Sequence, residues 1–356
     1  MGQPARSALA EAVEAKLARW ARAGAAQEYY ALGKRGPIKE QVVSDLNRFG
    51  GAMGPYIDSV LQLRTVAYIN ATPIDHLPSG HRFVATMCPK RSTFGHFWAM
   101  AWEMGSTHII NLTHEADKVG SDPSDKRERY WPPFDHAVDA EAVSCWLAVP
   151  ELIGAEHLPS VPGLSRYHVR LTHGSGQQRM VQVLWYSRWI DFADSHMIGT
   201  EAFYRNAAHV LALAYAIRDV PLANWPVVHC SAGVGRTGTF VVLLEALARL
   251  DSVGSDVRRL DQLIASSVEA TRERRLWMVK SDFEFATIYA ALAVHLREQL
   301  RPDFVVGAWR AGDFSEAAAR PMLAAGAPEL DACGRYNDPL KTPEAFYSRL
   351  RAPPSG

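Results

Sequence analysis

The stretch Val227 to Val242, VVHCSAGVGRTGTFVV, constrains this chain more than any other. WPVVHC reads as a short buried strand and TGTFVVLLEALARL as a helix, and the turn between them has a cysteine at one end and an arginine at the other. Small residues let successive backbone N–H groups turn inward as a nest, and the following helix directs the positive end of its dipole at the same point. Such a junction is a site for a dianion. The same field favours the thiolate of Cys230, the nucleophilic form of the side chain. Arg236 adds a planar fork of donors for two phosphoryl oxygens, a geometry lysine lacks. Thr237 supplies a hydroxyl that can hydrogen-bond a sulfur leaving a phosphocysteine. The C-x5-R spacing therefore predicts covalent phosphoryl chemistry at Cys230.

Composition sets the context for that site. With 356 residues, 48% hydrophobic and 21% charged, the chain can bury a substantial core. Lys plus Arg, 38, equals Asp plus Glu, 38, so no overall field points to nucleic acid or an anionic membrane as partner. The 4 cysteines, Cys88, Cys145, Cys230 and Cys333, have no CxxC spacing and are too sparse for a disulfide framework, which fits reduced thiols in a cytosol-like compartment. No run reaches bilayer-spanning length, and the N-terminus lacks the apolar core of a signal peptide. His76, His81, His96 and His108 are scattered without ligand spacing, so no metal or other cofactor is expected.

Along the chain, Leu9, Val13, Leu17 and Trp20 recur at helical spacing and predict an amphipathic helix over Ala8 to Ala25, ending near Gly24. TVAYINA, RFVAT, THIINL, YHVRLT and MVQVLWY read as strands, the last two joined as a hairpin around Gly174 to Gly176. Further helices fit Phe203 to Ile217, Val257 to Glu273 and Ser281 to Leu300. The expected organisation is an N-terminal helical lead over 1–44, a main domain over 45–300 and a small helical appendage over 301–356.

VHCSAGVGRTG resembles the signature of the protein tyrosine phosphatases, and other segments resemble that family in the expected order: NRF at Asn47 to Phe49, YINATPI at Tyr68 to Ile74, TFGHFWAMAWE at Thr93 to Glu103, RYWP at Arg129 to Pro132 and WIDF at Trp189 to Phe192. The resemblance implies an α/β fold, a twisted mixed sheet flanked by helices. It implies Ser231, Ala232, Gly233, Val234 and Gly235 as the phosphate loop, and Asp191 as general acid on a loop that closes over substrate, the alternative being a surface Asp in a turn. Trp189 would be a hinge of that loop, and Phe49 and Phe192 would lie against the substrate ring. His229 would orient the nucleophile through the backbone, or be a satisfied buried histidine. Glu115 would hold the arginine and Lys126 would lie near the closing loop, or both are solvated charges.

Several positions depart from the family pattern. Ile190 stands where a proline stiffens the closing loop, and Gly51 where an aspartate grips the substrate backbone, a role for which Asp58 is the substitute. Lys280 and Glu284 replace two glutamines, the first of which positions the hydrolytic water; Lys280 cannot accept a hydrogen bond, though it can ligate the phosphoryl group. Trp277 fills a place where a small residue opens an adjacent phosphate pocket, or is core packing. The expected activity is hydrolysis of protein phosphotyrosine through a phosphocysteine. The alternatives are a weakly active or inactive phosphotyrosine-binding relative, favoured by Lys280 and Ile190, and a dual-specificity or phosphoinositide phosphatase, disfavoured by the absence of lysine from SAGVG. The Ala- and Arg-rich composition suggests a GC-rich bacterial genome, and the resemblance to a eukaryotic-type tyrosine phosphatase then implies action on host phosphotyrosine proteins, the chain being cytoplasmic or delivered into a host cell cytosol.

Overall fold

The computed structural model describes residues 1–33, 37, 39–44, 47, 53–114, 129–132, 150–157, 163–189, 195–217 and 224–298. The sheet built from these residues has 7 strands: β1 (Ala71–Ile74), β2 (Phe83–Met87), β3 (His108–Asn111), β4 (Glu151–His157), β5 (Leu164–Thr172), β6 (Gln178–Tyr186) and β7 (Val227–Cys230), in the order β1-β2-β7-β3-β6-β5-β4. β2, β7, β3 and β6 run parallel, whereas β1 and the β6-β5-β4 meander are antiparallel. The strand that ends in Cys230 thus lies between parallel neighbours on both sides.

Strand alternation divides the core into two layers. Val84, Ile109, Val183 and Val227 point to one face, against Phe94, Phe97 and Trp98 of α3 (Phe94–Glu103). Ala85, Ile110, Leu184 and Val228 point to the other, beneath α4 (Glu201–Ile217), α5 (Gly235–Arg249) and α7 (Asp282–Glu298). The same period of two, continued past Val228, sends His229 to the α3 face and Cys230 to the face that α5 covers.

α1 (Gln3–Ala23) starts earlier than the periodicity predicts, with a proline in its first turn where a missing N–H costs nothing, and it stops at Gly24, φ +77°. Its predicted stripe, Leu9, Val13, Leu17 and Trp20, is buried in the same cluster as α7, and α2 (Ala26–Ala31) follows directly. α6 (Val257–Arg274) begins at Asp256, whose side chain accepts from the Arg258 N–H at 2.9 Å.

Two strand expectations needed correction. TVAYINA is irregular up to Asn70, and only its last residue belongs to β1; the Asn70 carbonyl still accepts from Met87 N of β2 and from Thr86 Oγ1, while the Tyr68 and Asn70 side chains are committed to polar partners. β4 was missed because Gly154 breaks its alternation, and the register indeed shifts between Leu152 and Gly154. The expected appendage over 301–356 lies outside the described residues.

Candidate active site

The turn after Cys230 is fixed by its carbonyls. Cys230 O and Ser231 O both accept from Cys88 N at 3.1 Å. Ala232 O and Gly233 O accept from the Arg275 guanidinium at 3.0 and 2.8 Å. Val234 O accepts from Gly238 N at 2.9 Å. Five successive carbonyls are therefore engaged by groups outside the turn. In a trans peptide the next N–H points away from the carbonyl, so the N–H groups of Ser231 to Gly235 turn to the side opposite those partners, at the start of α5. Gly233 adopts φ +71°, and a Cβ there would stand 2.0 Å from Thr86 O, so only glycine fits.

The chemistry-bearing side chains gather at this turn. Cys230 is 4% exposed and Arg236 1%. Arg236 Nη1 donates to Leu112 O and to Trp189 O, each at 2.8 Å, which anchors the guanidinium across the carboxyl ends of β3 and β6. The hydroxyls of Ser231 and Thr237 are buried with no hydrogen-bond partner among the described residues. Buried hydroxyls without partners are costly, which marks both as groups able to bond an acceptor that enters the turn.

His229 is fully buried, with Nδ1 3.2 Å from Cys230 O and Nε2 2.8 Å from the Tyr130 hydroxyl. Both ring nitrogens are thus engaged, one by the backbone at Cys230 and one by Tyr130. Burial, with a smaller effect from Cys88, pushes the Tyr130 hydroxyl well above its ordinary value, so it stays protonated beside the imidazole. Trp189, 1% exposed, ends the described part of the loop. Asp191, Phe192 and Ile190 lie outside the described residues, as do Phe49, Gly51, Glu115 and Lys126.

Sequence reasoning missed Arg275. It is completely buried and bonds Asn70 Oδ1 at 2.7 Å and Thr72 Oγ1 at 3.1 Å as well as the two loop carbonyls. Asn70 Nδ2 in turn donates to Asn47 Oδ1 at 2.8 Å, and Asn47 Nδ2 to Val42 O at 2.9 Å. This chain of bonds ties Asn47 to the turn after Cys230. Burial lowers the Arg275 guanidinium to about 10, with Tyr68 and Cys230 opposing the shift, so it remains charged at neutral pH. Nothing in RERRLW distinguishes it from its neighbours Arg272 and Arg274.

The departures from the family pattern acquire specific contacts. Glu284 Oε2 accepts from Lys280 N at 2.7 Å and Ser281 N at 3.1 Å, while Glu284 N donates to Ser281 Oγ at 3.2 Å, a capping box for α7. The same carboxylate lies against Gly235, where a Cβ would stand 2.2 Å from Oε1. Asp58 pairs with Lys39 at 2.8 Å, which holds its carboxyl below the usual range. Its candidacy as peptide anchor thus competes with this ion pair.

The protein-tyrosine phosphatase family model matches residues 51–294. Receptor-type tyrosine-protein phosphatase epsilon of Homo sapiens is 30% identical over 233 residues, which cover 63% of this chain and 29% of that protein. Receptor-type tyrosine-protein phosphatase alpha of Mus musculus is 30% identical over 237 residues, 64% of this chain and 25% of that protein. Tyrosine-protein phosphatase 3 of Dictyostelium discoideum is 29% identical over 232 residues, 63% and 22%. The chain spans less than a third of the length of these relatives.

Proposed function

The chain belongs to the protein-tyrosine phosphatase family, and we propose that it hydrolyses protein phosphotyrosine in two steps through a phosphocysteine at Cys230. The observation that carries this reading is the set of five outward carbonyls from Cys230 to Val234, which leaves a cup of N–H groups beside a buried cysteine and a buried arginine. In the first step the Cys230 sulfur attacks phosphorus, Arg236 and the cup hold the equatorial oxygens, and Asp191 protonates the departing phenol oxygen. In the second step water attacks phosphorus, Asp191 takes its proton, and the P–S bond breaks with Thr237 hydrogen-bonding the leaving sulfur. The roles that the family resemblance assigns to Phe49 and Phe192, against the substrate ring, favour phosphotyrosine over the shorter phosphoserine.

A second reading, a relative that holds phosphotyrosine and releases it slowly, draws support from Lys280 and from the commitment of Glu284 to helix capping. One experiment separates the two. Steady-state and single-turnover hydrolysis of a phosphotyrosine peptide, beside a phosphoserine peptide and a phosphoinositide, is expected to show turnover of phosphotyrosine alone, abolished in Cys230→Ser and strongly slowed in Asp191→Ala. A burst of one equivalent followed by almost no turnover would establish the holding module instead.

A further inference from the structure

The loop between α6 and α7 is held in a conformation its residues resist. Trp277 has φ +68° and Val279 φ +56°, the left-handed region, which is an outlier for a bulky or β-branched residue. Such geometry persists only where the surroundings over-determine it. From the phosphate loop, Val234 O accepts from Val279 N at 3.3 Å. From α6, Arg272 Nε donates to Met278 O and Nη2 to Val279 O, both at 2.9 Å. From α2, the Tyr29 hydroxyl donates to the same Val279 O at 3.1 Å and accepts from Arg272 Nη2 at 3.3 Å.

Tyr29 is 250 residues away in sequence from the carbonyl it holds. It reaches that carbonyl because the lead is docked on the domain. Trp20 packs against Phe285 and Tyr289 with ring centroids 5.6 and 5.0 Å away, and Lys16, nearly buried, pairs with Glu28 and Asp261, each at 2.7 Å. Lys280 is the next residue after Val279, and its N–H is fixed by Glu284. Any slackening at Val279 moves Lys280 relative to Val234 and the cup.

We propose that α1 and α2 form a strut that holds the α6–α7 loop in register against Val234 for the second half-reaction, with Tyr29 as the positioning residue. The inference rests on the phosphocysteine reading above. In that half-reaction the water oxygen bonds to phosphorus, the P–S bond breaks, sulfur leaves as the Cys230 thiolate and the proton passes to the Asp191 carboxylate. Ethanol reacts in the same way to give ethyl phosphate, with its hydroxyl proton taken by the same carboxylate. A loop held in register favours water over the larger nucleophile, and a slack loop favours it less. Attack of Cys230 on the substrate needs neither water nor Tyr29.

The full chain is therefore given p-nitrophenyl phosphate in aqueous ethanol, and first-turnover nitrophenol, inorganic phosphate and ethyl phosphate are measured. Tyr29→Phe, which removes one hydroxyl, is expected to raise the ratio of ethyl phosphate to phosphate about threefold or more, within the range one neutral hydrogen bond is worth. First-turnover release of nitrophenol should stay within about twofold of the parent. Arg272→Lys should move the ratio in the same direction. A ratio unchanged in both variants, whether or not the melting temperature falls, makes Tyr29 a packing residue and overturns the strut while leaving the hydrolysis reading intact. A parent chain that releases no nitrophenol overturns both.

Discussion

At the scale of single residues the site depends on groups that never touch substrate. Arg275 is the clearest case, since its guanidinium serves Asn70, Thr72, Ala232 O and Gly233 O from a fully buried position. Arg275→Met leaves those acceptors without their charged donor, so it should cost about 3 kcal/mol of stability, read by urea unfolding. Vanadate should bind more weakly to the loosened cup. Parent-like stability and vanadate affinity together would show that the loop holds itself. Lys280 tests the other half of the chemistry: Lys280→Gln restores a hydrogen-bond acceptor for water and should raise steady-state turnover of p-nitrophenyl phosphate by about tenfold, ~1.4 kcal/mol of barrier, with an unchanged burst. A burst and turnover both unaltered would remove Lys280 from the hydrolytic step.

At the scale of elements, the β4–β5 pair carries a titratable cluster that predicts how the protein responds to acid. Burial by itself raises the Glu156 carboxyl, but hydrogen bonds from His168 and Arg166, with their charges, outweigh it and bring it to about 2. His168 is lowered from its ordinary value, chiefly by burial, with Arg166 adding to the shift and Glu156 opposing it. Both groups bind protons more readily in the unfolded chain than in the folded one. The His168 contribution is thus full above about pH 6.5 and fades as pH falls below it; the Glu156 contribution is full above about pH 4.5 and is lost towards pH 2. Chemical-denaturation midpoints should fall from pH 7 to pH 4 as His168 takes up its proton and fall further towards pH 2 as Glu156 does, and Glu156→Gln, less stable at pH 7, should lack the part of the fall below about pH 4.5. Parallel profiles for the two proteins would mean the cluster is not the source of acid sensitivity. His157 and Ser165 lie beside this cluster at 2.6 Å from each other, and the His157 imidazole is likewise lowered by burial, so it adds to the slope in the same direction.

At the scale of the whole molecule, the lead and the catalytic layers share one apolar cluster: Leu9, Val13, Leu17 and Trp20 pack with α7, whose Phe285 and Tyr289 also belong to it. Trp20→Ala should therefore destabilise by about 3–5 kcal/mol in a single cooperative unfolding transition; an early, separate transition of α1 and α2 would show the lead to be independently docked. Much of the molecule was legible before any coordinates. The strand-turn-helix at Cys230, the hairpin β5–β6, the helices α4, α5, α6 and α7 and the stripe on α1 follow from local periodicity and from glycines at a tight turn, which are properties of neighbouring residues. So does the gathering of Cys230, Arg236 and Thr237 at one helix N-terminus, because a C-x5-R turn between a strand and a helix places them there whatever surrounds it. The tertiary structure alone decided that Arg275 rather than Arg272 or Arg274 braces the turn after Cys230, that Tyr29 reaches Val279, that Glu284 caps α7 and that Asn70 of TVAYINA serves Arg275. Each of these depends on segments tens to hundreds of residues apart meeting across the core, and a buried polar group acquires its role from the partners that then surround it, which no pattern of sequence neighbours contains.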